Sequence, residues 1–431
     1  MEITLMAFIM FGVALALLLF GIPVAFAFGG VAMFFAFFIP SLGFDVFNIL
    51  PFRIYGIMNN TTLMAVPLFI MMGLILEKSG MAEKLLISMS SLFQSVRGGL
   101  GVSVVLVGAI LAASTGIVSA SVVMMSVIAL PLMLRAGYNK GLASGTIAAS
   151  GTLGQIIPPS IILIVLGDVM SVSVGDLFMG AILPGLTLVL LYITYIVVRA
   201  YRNKEDAPAV VSDTQISLFE VLSAIVPPLL LMFAVLGTIF AGIASPTESA
   251  AFGVIGALIL SAYNKTLSFA MIKYALFETM KLSGMIFMIL IGATAFSLVF
   301  NELGGTDRIV EFFSQDIGSV WIFIGVAMAS IFILGFFIDF IEISFIIVPI
   351  LVPVMAAFGI DPIWFGILIA MNLQASFLTP PFGLSLFFLK GAAGNSVTTM
   401  EIYKGIIPFI VLQLLALGLV VAFPDLVFAF L

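Results

Sequence analysis

The sequence predicts an all-α polytopic membrane protein with about ten transmembrane helices plus two re-entrant helical hairpins, arranged as an inverted repeat. Three observations carry that reading. The chain is 63% hydrophobic and only 8% charged, with a mean hydropathy of +1.35. No water-soluble fold of this size hides so much apolar surface, so the bilayer must be its solvent. Charge-free runs such as Ile3 to Phe44, Gly98 to Leu134 and Val221 to Thr247 exceed the roughly 20 apolar residues that cross a hydrocarbon core of about 30 Å. They do not alternate with period two, which argues against a β-barrel. Finally, Pro131, Met133, Gly137, Ile147, Ala148, Pro158 and Pro159 recur as Pro353, Met355, Gly359, Ile369, Ala370, Pro380 and Pro381, all at one constant offset of 222 residues.

Crossing helices are expected at about 3–21, 24–40, 57–76, 141–166, 177–198, 220–241, 246–263, 282–301, 363–388 and 405–423. The first lacks a basic n-region and a small-residue cleavage pattern, so it is expected to be retained. Lys and Arg gather on the cytoplasmic side of membrane helices. With the N-terminus outside, every basic residue except Arg53 and Arg308 falls inside, while Asp45, Asp168, Asp176, Asp307, Asp361 and Asp425 fall outside. Both termini are therefore expected on the outer side.

The hairpins are expected at 98–134 and 317–358. The first run has Arg97 and Arg135 at its two ends and is shorter than the roughly 42 residues that two crossings and a turn require. Two helices that meet partway fit its length, although two short tilted crossings would give the same net topology. A polar turn lies mid-run, Ser114-Thr115-Gly116 followed by Ser119 and Ser121. Unwound backbone at membrane depth needs protein or water to face. The second tip spans about Gly335 to Ser344 and carries Asp339 and Glu342. An acid inside the membrane points to function, while a helix cap is the structural alternative for Asp339.

Helix 57–76, the first hairpin and helices 141–166 and 177–198 form one unit. Helix 282–301, the second hairpin and helices 363–388 and 405–423 form the other. The first unit starts outside and the second starts inside. Inverted units of this kind are the geometric basis of alternating access, and broken helices in matching positions mark a midplane binding site. The polar segment from Arg199 to Glu220 reads as a cytoplasmic connection between the halves, and 264–281 and 81–96 read as helices lying on the inner surface. Ser245-Pro246-Thr247-Glu248 reads as a capping box. The 42 Phe and 24 Met are expected to be lipid-facing and core filling, with no aromatic binding cage.

The site candidates follow from the two breaks. Pro158 and Pro159 each remove a backbone donor, and Gly151 and Gly154 loosen the same turn. Freed carbonyls, with the hydroxyls of Ser150, Thr152 and Ser160, are hard oxygen ligands that suit Na⁺. The second break carries Asn372, Gln374, Ser376, Thr379, Pro380 and Pro381. The Na⁺ candidates are Ser114, Thr115, Gly116, Ser119, Thr152, Gly154, Pro158, Gly335, Asp339, Asn372, Gln374, Ser376 and Thr379. Those for an anionic substrate are Ser121, Ser150, Ser160, Ser344, Pro159 and Pro381, close to helix N-termini that favour negative charge. The chain has no Cys and no His, which removes disulfides, soft metal sites, thiol nucleophiles and the usual proton relay. No phosphate-binding GxxxxGK[ST] loop is present, and no organic cofactor or nucleic-acid partner is expected.

Gly154-Gln155-Ile156-Ile157-Pro158-Pro159-Ser160, Asn372 through Gly383, and Gly242 through Ala251 together resemble the large membrane subunit of the tripartite ATP-independent periplasmic (TRAP) transporters, the dicarboxylate-transporter M family. The resemblance covers essentially the whole chain. It implies a sodium-coupled secondary importer of a small organic anion, of C4-dicarboxylate or sialic acid type, in the bacterial inner membrane. It also implies an elevator motion of a transport domain against a scaffold, a periplasmic substrate-binding protein and a small four-helix membrane subunit as a separate chain. Scaffold helices would occupy 1–56, repeat 1 57–200, the linker and further scaffold helices 201–281, and repeat 2 282–431. One departure is Phe340-Ile341-Glu342-Ile343, where family members often carry a Thr- or Ala-rich run. The alternatives are a dicarboxylate or citrate carrier that needs no binding protein, an intramembrane enzyme built on Asp339 and Glu342, and a channel.

Overall fold

The computed structural model describes residues 2–39, 42–115, 118–209 and 217–431, and among these the regular elements are helical. The first half comprises α1 (Glu2–Leu19), α2 (Val24–Phe38), α3 (Leu50–Met58), α4 (Ala65–Lys78), α5 (Met81–Leu92), α6 (Gly99–Thr115), α7 (Val118–Arg135), α8 (Lys140–Thr152), α9 (Ile161–Val169) and α10 (Val174–Arg202). The second comprises α11 (Leu218–Phe240), α12 (Pro246–Tyr263), α13 (Phe269–Glu302), α14 (Gly305–Glu311), α15 (Val320–Leu334), α16 (Phe340–Ala357), α17 (Pro362–Leu378), α18 (Leu384–Ala393), α19 (Thr399–Ala422) and α20 (Asp425–Phe428). Helices α7, α10, α11, α13, α16 and α19 are each long and apolar enough to cross a membrane, and α4 with α5, a pair bent by 61°, adds a seventh only when the two are taken as one span. The shorter apolar helices α1, α2 and α17 occupy further expected crossings.

The repeat is visible in its caps. Asn139 accepts hydrogen bonds from the amides of Gly141 and Leu142 at the start of α8, and Asp361 accepts them from Ile363 and Trp364 at the start of α17. Just before these caps, Gly137 (φ +79°) and Gly359 (φ +65°) end α7 and α16 in the left-handed conformation. The next amides, of Tyr138 and Ile360, donate to the carbonyls of Met133 and Met355. These are matched Schellman-type stops. The capping box at the start of α12 is formed as the sequence predicts, with Ser245 and Glu248 bonded reciprocally.

The two hairpins stand on opposite ends of the bundle. The base of α6 is tied to the end of α10, because the Gly98 amide donates to the Ala207 carbonyl and the Asn139 amide to the Asp206 carbonyl. Arg199 and Asp206 brace this corner at 2.7 Å. Burial pushes the Asp206 carboxyl up, but hydrogen bonds from Arg199 and Asn203 outweigh it and hold the group below the usual carboxylate range. Helices α11 and α13 are long and apolar enough to cross, and with α12 crossing between them, as the sequence predicts, α15 begins at the other end. The first hairpin packs through α6 and α7 on α8, and through α7 on α18. The second packs through α15 on α17, and through α16 on α9. Each hairpin therefore touches the broken helices of both halves.

Close crossings rely on small residues, as membrane packing requires. A Cβ on Gly29 would lie 3.6 Å from the Gly292 Cα, where α2 crosses α13. Gly141, Gly145 and Gly405 bring α8 and α19 into backbone contact.

Two expectations are corrected. Segment 264–281 is no separate surface helix: its residues from Phe269 onward open α13, which runs 34 residues, about 51 Å, without interruption. Nothing between the Ser268 cap and Gly284 breaks it, so charge at Lys273 and Lys281 only marks where it leaves the apolar zone. The helix expected at 57–76 starts at Ala65, because Asn60 turns the chain by accepting from the amides of Thr62 and Leu63. Part of the polar linker, 210–216, lies outside the described residues.

Candidate functional site

Both expected helix breaks are present. The first half-helix ends at Thr152, a short 3-10 turn covers Leu153–Gln155, and α9 restarts at Ile161. The second ends at Leu378 and restarts at Leu384. The Pro158-Pro159 and Pro380-Pro381 bonds are both cis. Missing proline donors leave carbonyls without helical partners. One of them is recovered in the same way in each break. Ser160 donates to the Gln155 carbonyl at 2.6 Å, and Ser385 donates to the Phe377 carbonyl at 2.6 Å. Gln155 and Phe377 are repeat equivalents, so those two carbonyls keep only their second lone pair for another ligand.

The breaks adjoin. Gln374 Nε2 lies 3.5 Å from Thr152 Oγ1, and these residues are themselves repeat equivalents. Equivalent residues in contact lie close to the axis relating the two halves. Gln155 follows Thr152 by three residues, one turn of 3-10 helix, and so shares its face. Both amide atoms of Gln155 and Oε1 of Gln374 are buried without a hydrogen-bond partner. A buried amide without a partner costs about 1–3 kcal/mol. These atoms are therefore the polar groups of the breaks that are open to a further ligand. Gln155 was not among the expected site residues. Its signal was a large amide three residues before the proline pair, in a segment whose other polar side chains are small hydroxyls.

The tips meet at a cavity of about 340 Å³. Val118 and Ser119 come from the first hairpin, Phe337, Asp339, Phe340 and Glu342 from the second, and Phe377, Leu384 and Phe388 from the two arms of the second broken helix. Hairpins rooted at opposite ends thus converge on one site, which makes both re-entrant. Gly335 sits so close to Ser376 that a Cβ there would collide with the serine hydroxyl. The Asn372 amide donates to the Met328 carbonyl at 2.7 Å and pins α15 to the broken helix.

The expected residues separate accordingly. Ser119 and Asp339 line the cavity. Asp339 and Glu342 also form the capping box of α16, in which Asp339 Oδ1 accepts from the Phe340 amide at 2.7 Å and Glu342 from the Asp339 amide at 3.0 Å. Ser114 and Thr115 fall in the last turn of α6, Ser121 is buried in α7, and Gly116 lies outside the described residues. Ser150, Thr152, Ser376 and Thr379 each donate to a carbonyl of their own helix. Gly154, Pro158, Pro159 and Ser160 are buried, whereas Pro381 is exposed. Ser344 is buried with its hydroxyl unpartnered, one helical turn after Phe340, and is not itself among the residues that line the cavity. Phe337, Phe340, Phe377 and Phe388 form part of the cavity wall, and Phe340 and Phe377 also belong to the buried core.

The chain matches the family model described as the tripartite ATP-independent periplasmic transporter, DctM component, over residues 11–426. It is 30% identical over 381 residues to the C4-dicarboxylate TRAP transporter large permease DctM of Pseudomonas aeruginosa, covering 87% of each chain. It is 29% identical to the sialic acid TRAP transporter large permease SiaM of Vibrio cholerae, covering 86% of this chain and 87% of that one. Its fold is similar to that of the solved Alcanivorax borkumensis YdaH transporter, with a TM-score of 0.64, 15% identity and 89% of each chain covered. A family match over nearly the full length, on top of two broken helices and two opposed hairpins, places the chain in the DctM family of TRAP transporter large permeases.

Proposed function

We propose that this permease is a sodium-coupled secondary importer of a small organic anion across the bacterial inner membrane. The observation that carries this reading is the cavity shared by two hairpin tips of opposite origin. Its charged wall residues are Asp339 and Glu342, and no Lys or Arg lines it among the described residues. An organic anion placed there needs compensating cations, and the unpartnered amides and freed carbonyls of the breaks are suitable oxygen-rich ground for Na⁺. Substrate would rest against Ser119 and the tip backbone. The related permeases named for C4-dicarboxylate and sialic acid support an organic acid as cargo.

The motion proposed is an elevator. Helices α2, α4, α12 and α13 pack among themselves, and α6 to α9 with α15 to α19 pack around the breaks. The first group would be the scaffold and the second the moving body. That division assigns α4 and α13 to the scaffold, unlike a strict division at 57–200 and 282–431. The first break is buried while Pro381 and Phe382 of the second are exposed, which suits a state open on one side. Both termini would face the periplasm. A periplasmic substrate-binding protein would deliver cargo, and a separate small membrane subunit would widen the scaffold. In proteoliposomes holding the full complex and binding protein, uptake should collapse when Na⁺ is removed at clamped pH. Unchanged uptake would refute the coupling, and equal uptake without binding protein would refute the tripartite reading.

A further inference from the structure

We propose that the cavity beneath α5 binds the phosphodiester headgroup of an inner-leaflet phospholipid. Its placement on the inner leaflet rests on the orientation proposed above. The cavity is about 560 Å³ and lies between the first turns of α5, the start of α11 and the end of α12. Lys84, Lys265 and Glu220 are its charged walls, with Asn264 and Ser223 beside them. Lys84 Nζ donates to Asn264 Oδ1 at 2.9 Å, which holds its ammonium at the cavity.

Lys265 is the more telling residue. It has φ +59°, one of two non-glycine residues with positive φ among those described. It follows the last turn of α12, where its amide donates to the Ala262 carbonyl and the Thr266 amide to the Ser261 carbonyl. Glycine is the usual occupant of this left-handed stop, because a Cβ is strained there. A lysine in its place bears that strain and adds an ammonium at the cavity wall.

Two lysines and one glutamate on the lining leave a single net positive charge, which complements a single phosphodiester. Basic pockets at the cytoplasmic membrane surface recognise phospholipid headgroups in this way. The surroundings favour a lipid over a soluble phosphate. Phe219, Leu222 and Val226 are exposed along one face of α11 from the same rim, and Tyr263 on the wall is 72% exposed. They provide an apolar path for acyl chains that a soluble phosphate has no use for.

The test uses the full chain, purified in detergent and stripped of lipid. Phosphatidylglycerol should raise its melting temperature in a saturable way, and phosphate-free diacylglycerol should not. The double variant Lys84→Gln, Lys265→Gly should need about tenfold more phosphatidylglycerol for the same shift. Lys265→Gly relieves backbone strain, so this variant should fold at least as well as the wild type before lipid is added. An equal response of wild type and variant, or of the two lipids, overturns the proposal. A shift reproduced by glycerol 3-phosphate at the same concentration overturns the lipid source. Cross-linking of Tyr263→Cys to the small subunit, with lipid excluded, would show the pocket to be a protein interface and overturn it as well.

Discussion

Gly335→Val is expected to abolish transport while leaving the chain inserted in the membrane. The Gly335 backbone rests on Ser376, and even one added carbon would collide with that hydroxyl. The second hairpin tip would have to move away from the broken helix it covers. Overpacking of this kind costs about 1–3 kcal/mol. Charged to the closed conformation alone, that corresponds to about 5–150-fold in its population. Uptake by proteoliposomes with matched protein content measures the loss. The smaller Gly335→Ala should be impaired as well, and pairing it with Ser376→Gly should restore most of the uptake by removing the atoms it meets. Failure of that rescue would show that the contact does not govern the tip.

Gly405→Ala is expected to have the largest effect on stability. An added Cβ would land on the carbonyl, carbon and Cα of Gly141, all backbone atoms of α8. No side chain is available to swing aside, so the helices must separate and Gly145 loses its contact with the Gly405 carbonyl as well. A loss of about 1–3 kcal/mol is expected, read as a lower melting temperature of the purified chain. Gly418→Ala, on the same helix with open space around it, should leave the melting temperature unchanged.

The features legible in the sequence are those that repeat or punctuate. The proline pairs at Pro158 and Pro380 announced both breaks because proline acts on the backbone whatever surrounds it. Constant spacing carried the caps along, so that Asn139 and Asp361 fall into register without any tertiary information. The limits of α13 were not legible, since Lys273 and Lys281 reveal where a helix leaves the apolar zone but not whether it stops there. Nor was the serine that closes the second break. Ser160 lies next to its proline pair, but Ser385 reaches the equivalent carbonyl from inside the following helix, a pairing that only the folded chain reveals. The aromatic wall was hidden for a similar reason. Phe337, Phe340, Phe377 and Phe388 cannot be distinguished in composition from the other phenylalanines until the tips are brought together.

The convergence of two oppositely rooted hairpins on one cavity is the claim on which the remainder rests. The chain contains no cysteine, so a pair introduced as Val118→Cys and Phe340→Cys reports without background. In native membranes, a bifunctional thiol reagent no longer than the cavity is wide should link the two positions and arrest uptake, with recovery when a cleavable reagent is reduced. Absence of the cross-link in chains whose two thiols both remain reactive would contradict the account.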